Sequence, residues 1–190
     1  MTYAEHEVYA HTRLPADDDY ILLAESFSGP IGIAIAASRP ARLRGLILCA
    51  SFASNPLPVF SPLSRLVGAL PAVRLPPSLA APWLYAGRGT PELRRAHAAA
   101  MAKVSARVLA TRVAAILSVD RRTQLSRIDV PLLYLRAKAD RLVGESAARV
   151  ILRARPDAQL VEFDAPHFLL QTEPDACAAV TRAFIQRCQR

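Results

Sequence analysis

Two short, almost wholly apolar runs at residues 20–24 and 43–50, with a helical segment opening at Gly29-Pro30 between them, constrain the fold more than anything else in the chain. Runs so short and so apolar read as strands buried on both faces, and a helix joining two such strands is the crossover of a parallel pair. Pro30 falls in the first turn of that helix, where no intrahelical N–H is lost, and Arg39-Pro40 closes it. Residues 2–12 predict a preceding helix, with Thr2 as N-cap and Glu5 completing a capping box.

From Ser51 to Ile128 the strand pattern stops and prolines crowd in, at Pro56, Pro58, Pro62, Pro71, Pro76, Pro77, Pro82 and Pro91. This stretch predicts an inserted, mostly helical cap, with one helix starting at Pro91 and another over 105–118. Within it Met101, Val104 and Val108 are spaced to share one packed face, and Trp83 and Tyr85 are candidates to line an acyl pocket. Alternation then resumes, with a strand over 130–136, a helix over 146–154, a strand over 159–163 and a closing helix over 174–189. The expected organisation is an α/β core at 1–50, a helical cap at 51–128 and a second core segment at 129–190, built on a mostly parallel sheet with flanking helices.

A chain of 190 residues with 52% hydrophobic composition can bury one core without staples. Cys49, Cys177 and Cys188 show neither metal-ligand spacing nor a disulfide framework, a usage that points to a reducing cytoplasm. No apolar run reaches the roughly 18 residues that a membrane span needs. The net charge of +8 comes from arginines scattered through helices without aromatic interleaving or a recognition motif, so nucleic acid is not the expected partner.

Chemistry concentrates where the strands end. Ala24-Glu25-Ser26-Phe27-Ser28-Gly29 sets one serine between a strand and a helix, with small residues on both flanks. This fits a nucleophile elbow, in which strand and helix backbones approach so closely that bulky neighbours would clash. Any α/β crossover also needs a small, polar turn, so Ser26 alone does not establish a nucleophile. Gly29-Pro30-Ile31-Gly32 gives neither a dinucleotide fingerprint nor a P-loop.

Asp140 follows the strand over 130–136, and His167 follows the strand over 159–163. Functional groups gather at such carboxyl edges. The order serine, aspartate, histidine is the one this elbow requires, with Ser26 as nucleophile, His167 as its base and Asp140 fixing the imidazole tautomer. Asp120, Asp129 and Asp164 are poorer acids by position, and His6, His11 and His97 lie in helical segments without comparable placement. No histidines and carboxylates recur at ligand spacing, so neither a metal nor a cofactor is expected.

With the segments around Ser26, Asp140 and His167 taken together, the chain resembles the α/β-hydrolase superfamily. It is most similar to small carboxylesterases with a helical cap, the group that includes the pimeloyl-carrier-protein methyl ester esterases. The resemblance implies Ser26, Asp140 and His167 as the triad, residues 51–128 as cap, and a small-molecule or carrier-bound acyl ester as substrate. It also marks a departure. Family members place several strands and an oxyanion loop ahead of the helix that here begins near Thr2, so an N-terminally truncated hydrolase fold is expected. In that fold the backbone N–H of Phe27 supplies one oxyanion donor, and a second subunit covering the open sheet edge is a further expectation. A hydrolase-fold domain used for binding or association, and acyl transfer or C–C bond hydrolysis by the same residues, are the competing readings.

Overall fold

The computed structural model describes residues 2–58 and 77–189. Residues 59–76 of the expected cap lie outside the described residues. The elements are α1 (Tyr3–His11), β1 (Tyr20–Glu25), a 3-10 turn (Ser26–Ser28), α2 (Gly29–Ala37), β2 (Leu43–Cys49), α3 (Pro77–Tyr85), α4 (Pro91–Ala102) and α5 (Ala106–Ser118). They continue with α6 (Arg122–Leu125), β3 (Leu132–Ala137), α7 (Glu145–Ala154), β4 (Gln159–Phe163), α8 (Leu169–Thr172) and α9 (Pro174–Cys188).

The strands form one four-stranded parallel sheet in the order β1-β2-β3-β4. Successive strand residues face opposite sides, so each strand feeds two cores. On one side Ala24, Leu46, Leu48, Leu132 and Tyr134 pack with Ile33 and Ala36 of α2 and with Ala148 and Ile151 of α7. On the other, Ile47, Cys49, Leu133 and Leu135 pack with Cys177 and Phe184 of α9. A third cluster joins Tyr3 of α1, Ile31 and Ile35 of α2, Phe52 and Val119. The result is a sheet between two helical layers, the three-layer α/β architecture expected from the sequence.

Helix starts follow their chemistry. The Thr2–Glu5 capping box is present at α1, and the Thr90 and Ser105 hydroxyls accept from the Leu93 and Val108 amides at α4 and α5. Pro30 sits in the first turn of α2. Gly32 lies where its helix crosses β1, and a Cβ there would come within 2.8 Å of the Ala24 Cβ.

Two expectations for the β2–β3 connection need correction. Met101 and Val104 are only partly covered and Val108 is exposed, so the three do not form a packed face. Their even spacing runs across a break, because α4 ends at Ala102 and Ser105 caps a new helix. Trp83 stands out in solvent, whereas Tyr85 is fully buried against other side chains. Among the described residues, β1 pairs only with β2 and leaves its other edge free, with Leu23 exposed on it. No helix among the described residues is long and apolar enough to cross a membrane.

Candidate active site

The sheet register brings three chain segments to one edge. Glu25 pairs with Cys49, Cys49 with Leu135, and Ala137 with Phe163, so the carboxyl ends of all four strands lie nearly level. Ser26 comes directly after β1, Asp140 shortly after β3 and His167 shortly after β4.

Ser26 has φ +50, in the left-handed region that costs a non-glycine residue roughly 1–3 kcal/mol. The turn is held from two sides. The Ser26 carbonyl accepts the Gly29 N–H and the Ser51 hydroxyl, the latter at 2.7 Å, and the Ser28 hydroxyl donates to the Glu25 carbonyl at 2.7 Å. Ser51 is itself fully buried, and its own carbonyl accepts the Tyr134 hydroxyl at 3.0 Å. Gly29 makes this approach possible, since a Cβ there would fall 1.7 Å from the Ser51 hydroxyl oxygen. Nothing local in the sequence marks Ser51. The signal available was its place directly beyond β2, at the same sheet edge as the other three.

The Ser26 Oγ lies 2.8 Å from the His167 Nε2, and the His167 Nδ1 lies 2.7 Å from the Asp140 Oδ2. With the Nδ1 proton donated to Asp140, Nε2 is free to accept from the serine hydroxyl. Asp140 is pinned in turn, because its Oδ1 accepts the Leu142 and Val143 N–H groups at 2.8 and 2.9 Å, leaving Oδ2 for the imidazole. Both side chains are almost fully withdrawn from solvent, 8% exposed for His167 and 1% for Asp140. The acid and histidine loops are stitched together, with the Lys138 N–H donating to Phe163 O and the Ala139 N–H to Ala165 O. All three residues singled out in the sequence are thus brought into one hydrogen-bonded chain.

The other carboxylates are engaged elsewhere. Asp120 pairs with Arg122, Asp129 with Arg39 and Asp164 with Arg88. Glu25, next to Ser26, is held above the usual carboxylate range by burial, with the Gln171 amide and His167 acting against the shift. Burial also raises the thiols beneath the edge, Cys49 strongly and Cys177 to about 11, so neither is a thiolate near neutrality. No cluster of three potential metal ligands occurs among the described residues.

Phe27 follows Ser26 in the turn, where the first N–H groups have no intrahelical acceptor. Its ring stacks on Tyr3 at 4.7 Å, meets His6 edge-on and lies under the Arg112 guanidinium. Tyr3 also walls an open cleft of about 860 Å³ between the start of α1 and the side of α5, whose lining includes Thr111, Ala115 and Arg121. That cleft does not include Ser26, so it flanks the elbow instead of containing it.

A parallel sheet bearing an elbow serine at one strand end, with histidine and aspartate from two others, defines an α/β-hydrolase. Residues 5–175 match the family described as serine aminopeptidase, S33, and the chain belongs to that family. Solved structures agree on the fold. A lipase-esterase related protein from Clostridium acetobutylicum ATCC 824 superposes with a TM-score of 0.79 at 16% identity, over 96% of this chain and 75% of that one. An esterase from Thermogutta terrifontis gives 0.80 at 21% identity, over 100% of this chain and 74% of that one. The enol-lactonase from Burkholderia xenovorans LB400 gives 0.70 at 21% identity, over 98% and 74%.

Proposed function

We propose that the chain is a serine hydrolase acting on carboxylic esters, with Ser26 as nucleophile, His167 as general base and acid, and Asp140 as the group that orients and stabilises the imidazole. The observation that carries this reading is the continuous chain from Ser26 Oγ through both ring nitrogens of His167 to a buried, backbone-pinned Asp140. A serine hydroxyl is a poor nucleophile until a base takes its proton, and a histidine between a hydroxyl and a carboxylate meets that need.

In this mechanism Ser26 Oγ bonds to the ester carbonyl carbon as its proton passes to His167 Nε2. The carbonyl C–O bond to the alcohol then breaks, and the leaving oxygen takes that proton. Water next attacks the acyl-enzyme, giving a proton to Nε2, and collapse returns it to Ser26 and frees the acid. The Phe27 N–H, at the positive end of a helical turn, stabilises the oxyanion in both halves. The described helices between β2 and β3 act as the cap, and small-molecule or carrier-bound acyl esters are the substrate class. The family's description as aminopeptidase makes aminoacyl amides the second class to try.

The test is labelling with a fluorophosphonate, with the modified residue identified by peptide mass. Stoichiometric labelling at Ser26, lost in Ser26→Ala and His167→Ala, supports the reading, and a folded protein that does not label refutes it. Turnover of an ester series against matched aminoacyl amides then separates the two substrate classes.

A further inference from the structure

The histidine loop is gripped by the cap at both of its ends. Three residues before His167, Asp164 presents both carboxylate oxygens to the Arg88 guanidinium at 3.0 Å, and the same guanidinium also donates to the Asp164 carbonyl. One residue after His167, the Phe168 ring stacks on Tyr85 at 5.3 Å and meets the edge of His97 at 5.2 Å. The Phe168 N–H is directed at the Leu84 carbonyl at a long 3.5 Å.

Arg88, Tyr85 and His97 belong to one tight unit. The Tyr85 hydroxyl and His97 Nδ1 lie 2.7 Å apart, closing a ring of contacts from α3 across to α4 and back through Phe168. The connection turns sharply, with Ala86 and Gly87 both at positive φ, and the Arg88 N–H donates to the Tyr85 carbonyl at 2.8 Å. Gly89 lies flat against the Tyr85 ring, where a Cβ would come within 2.7 Å. Arg94 covers the same ring at 4.9 Å.

Arg88 and Asp164 are exposed, with side chains 44% and 78% accessible, and an exposed ion pair does little for global stability. What it does is fix the backbone position of a loop whose central side chain must meet Ser26 Oγ and Asp140 Oδ2 at once. We propose that Arg88, Tyr85 and His97 form a strap that positions His167, so that the cap holds the base in register with the nucleophile. The strap residues touch no reacting atom and act through the loop. The inference rests on the triad reading above for its chemical consequence, but its structural content, a loop held by the cap, does not.

The experiment compares the full chain with Arg88→Met, with Tyr85→Leu, which removes the ring stacked on Phe168, and with the double variant by two readouts. The first is the rate of fluorophosphonate labelling at Ser26. The second is the proton spectrum of His167, where the Nδ1 proton shared with Asp140 gives a resolved downfield resonance. Displacing a reacting group by about 1 Å can cost 100-fold, so each single variant is expected to label roughly 10-fold more slowly and the double variant up to about 100-fold. The downfield resonance broadens or disappears in step, while the Arg88→Met melting temperature moves by no more than roughly 4 °C. Variants that label at the wild-type rate and keep the resonance overturn the strap. If the wild type does not label, the resonance alone decides: its loss in the variants supports the strap without the chemistry, and its retention refutes it.

Discussion

Gly29→Ala tests how the turn at Ser26 is held. The new Cβ would lie 1.7 Å from the Ser51 hydroxyl oxygen and 2.8 Å from the Ser51 Cβ, distances no relaxed contact allows. The hydroxyl must therefore swing away and give up its 2.7 Å bond to the Ser26 carbonyl, worth about 1 kcal/mol net. The remaining approach to the Ser51 Cβ overpacks a fully buried site, a fault that typically costs about 1–3 kcal/mol. The sum is roughly 2–4 kcal/mol, or about 4–16 °C in melting temperature for a chain of this size. Because the strain falls on a residue at φ +50, Ser26 labelling should slow along with the loss of stability.

A double-mutant cycle isolates the cause. Ser51→Gly removes both clashing atoms, so Gly29→Ala should cost less than about 1 kcal/mol in that background, leaving a coupling of at least roughly 1–3 kcal/mol. Urea unfolding of the four proteins measures it. Additive effects, with Gly29→Ala equally harmful in both backgrounds, would refute the close approach as the source.

Ser26→Gly and Ser26→Ala should both abolish labelling, yet differ in stability. Alanine keeps the left-handed strain of about 1–2 kcal/mol and glycine relieves it, so Ser26→Gly should melt higher despite the roughly 0.5–1 kcal/mol that glycine costs in chain entropy. Asp140→Asn keeps an oxygen for the Leu142 and Val143 N–H groups but disturbs the imidazole tautomer, so labelling should fall about 10³- to 10⁴-fold with the fold intact. Asp140→Ala, by contrast, orphans both N–H groups and should lower the melting temperature as well. Burial holds the His97 imidazole below its ordinary range, so the unfolded chain takes up that proton first as pH falls. Stability should therefore decline as pH drops below about 6.5 towards the depressed value, and His97→Gln should flatten that limb in melts collected across pH.

The core and the three site residues were legible because each leaves a local trace. Strands buried on both faces must be short apolar runs, and β1 to β4 appear in the sequence to within about two residues at each end. Ser26, Asp140 and His167 each lie just past such a run, so chain order alone placed them at one edge. The connection between β2 and β3 left weaker traces. The spacing of Met101, Val104 and Val108 mimics a helical face but spans two helices, and Ser105 carries the break as an N-cap. In the sequence Tyr85 is a candidate to line a pocket, and His97 lies in a helical segment without a placement comparable to that of His167. Their partner, Phe168, lies far along the chain, and contacts at that separation have no periodicity to betray them.

The three residues also differ in how much support each needs, and the difference follows from their distance to the sheet. Ser26 sits at the strand end itself and is fixed by a strained turn with hydrogen bonds from Gly29 and Ser51. Asp140 lies a few residues out and ties itself down through two backbone N–H groups. His167 lies farther along its loop, four residues past β4, and its ring must satisfy a hydroxyl on one side and a carboxylate on the other. Its loop receives backbone bonds from the acid loop on one flank, at Phe163 and Ala165, and cap side chains at Asp164 and Phe168 supply the rest. On the proposed mechanism, a base that takes the Ser26 proton at Nε2 and hands it to the leaving group, while Nδ1 stays bonded to Asp140, needs its freedom removed by something other than those partners. A cap joined to the histidine loop by one ion pair and one aromatic stack does this at little cost to stability. On the strap proposal the reactivity of Ser26 depends on where the cap stands.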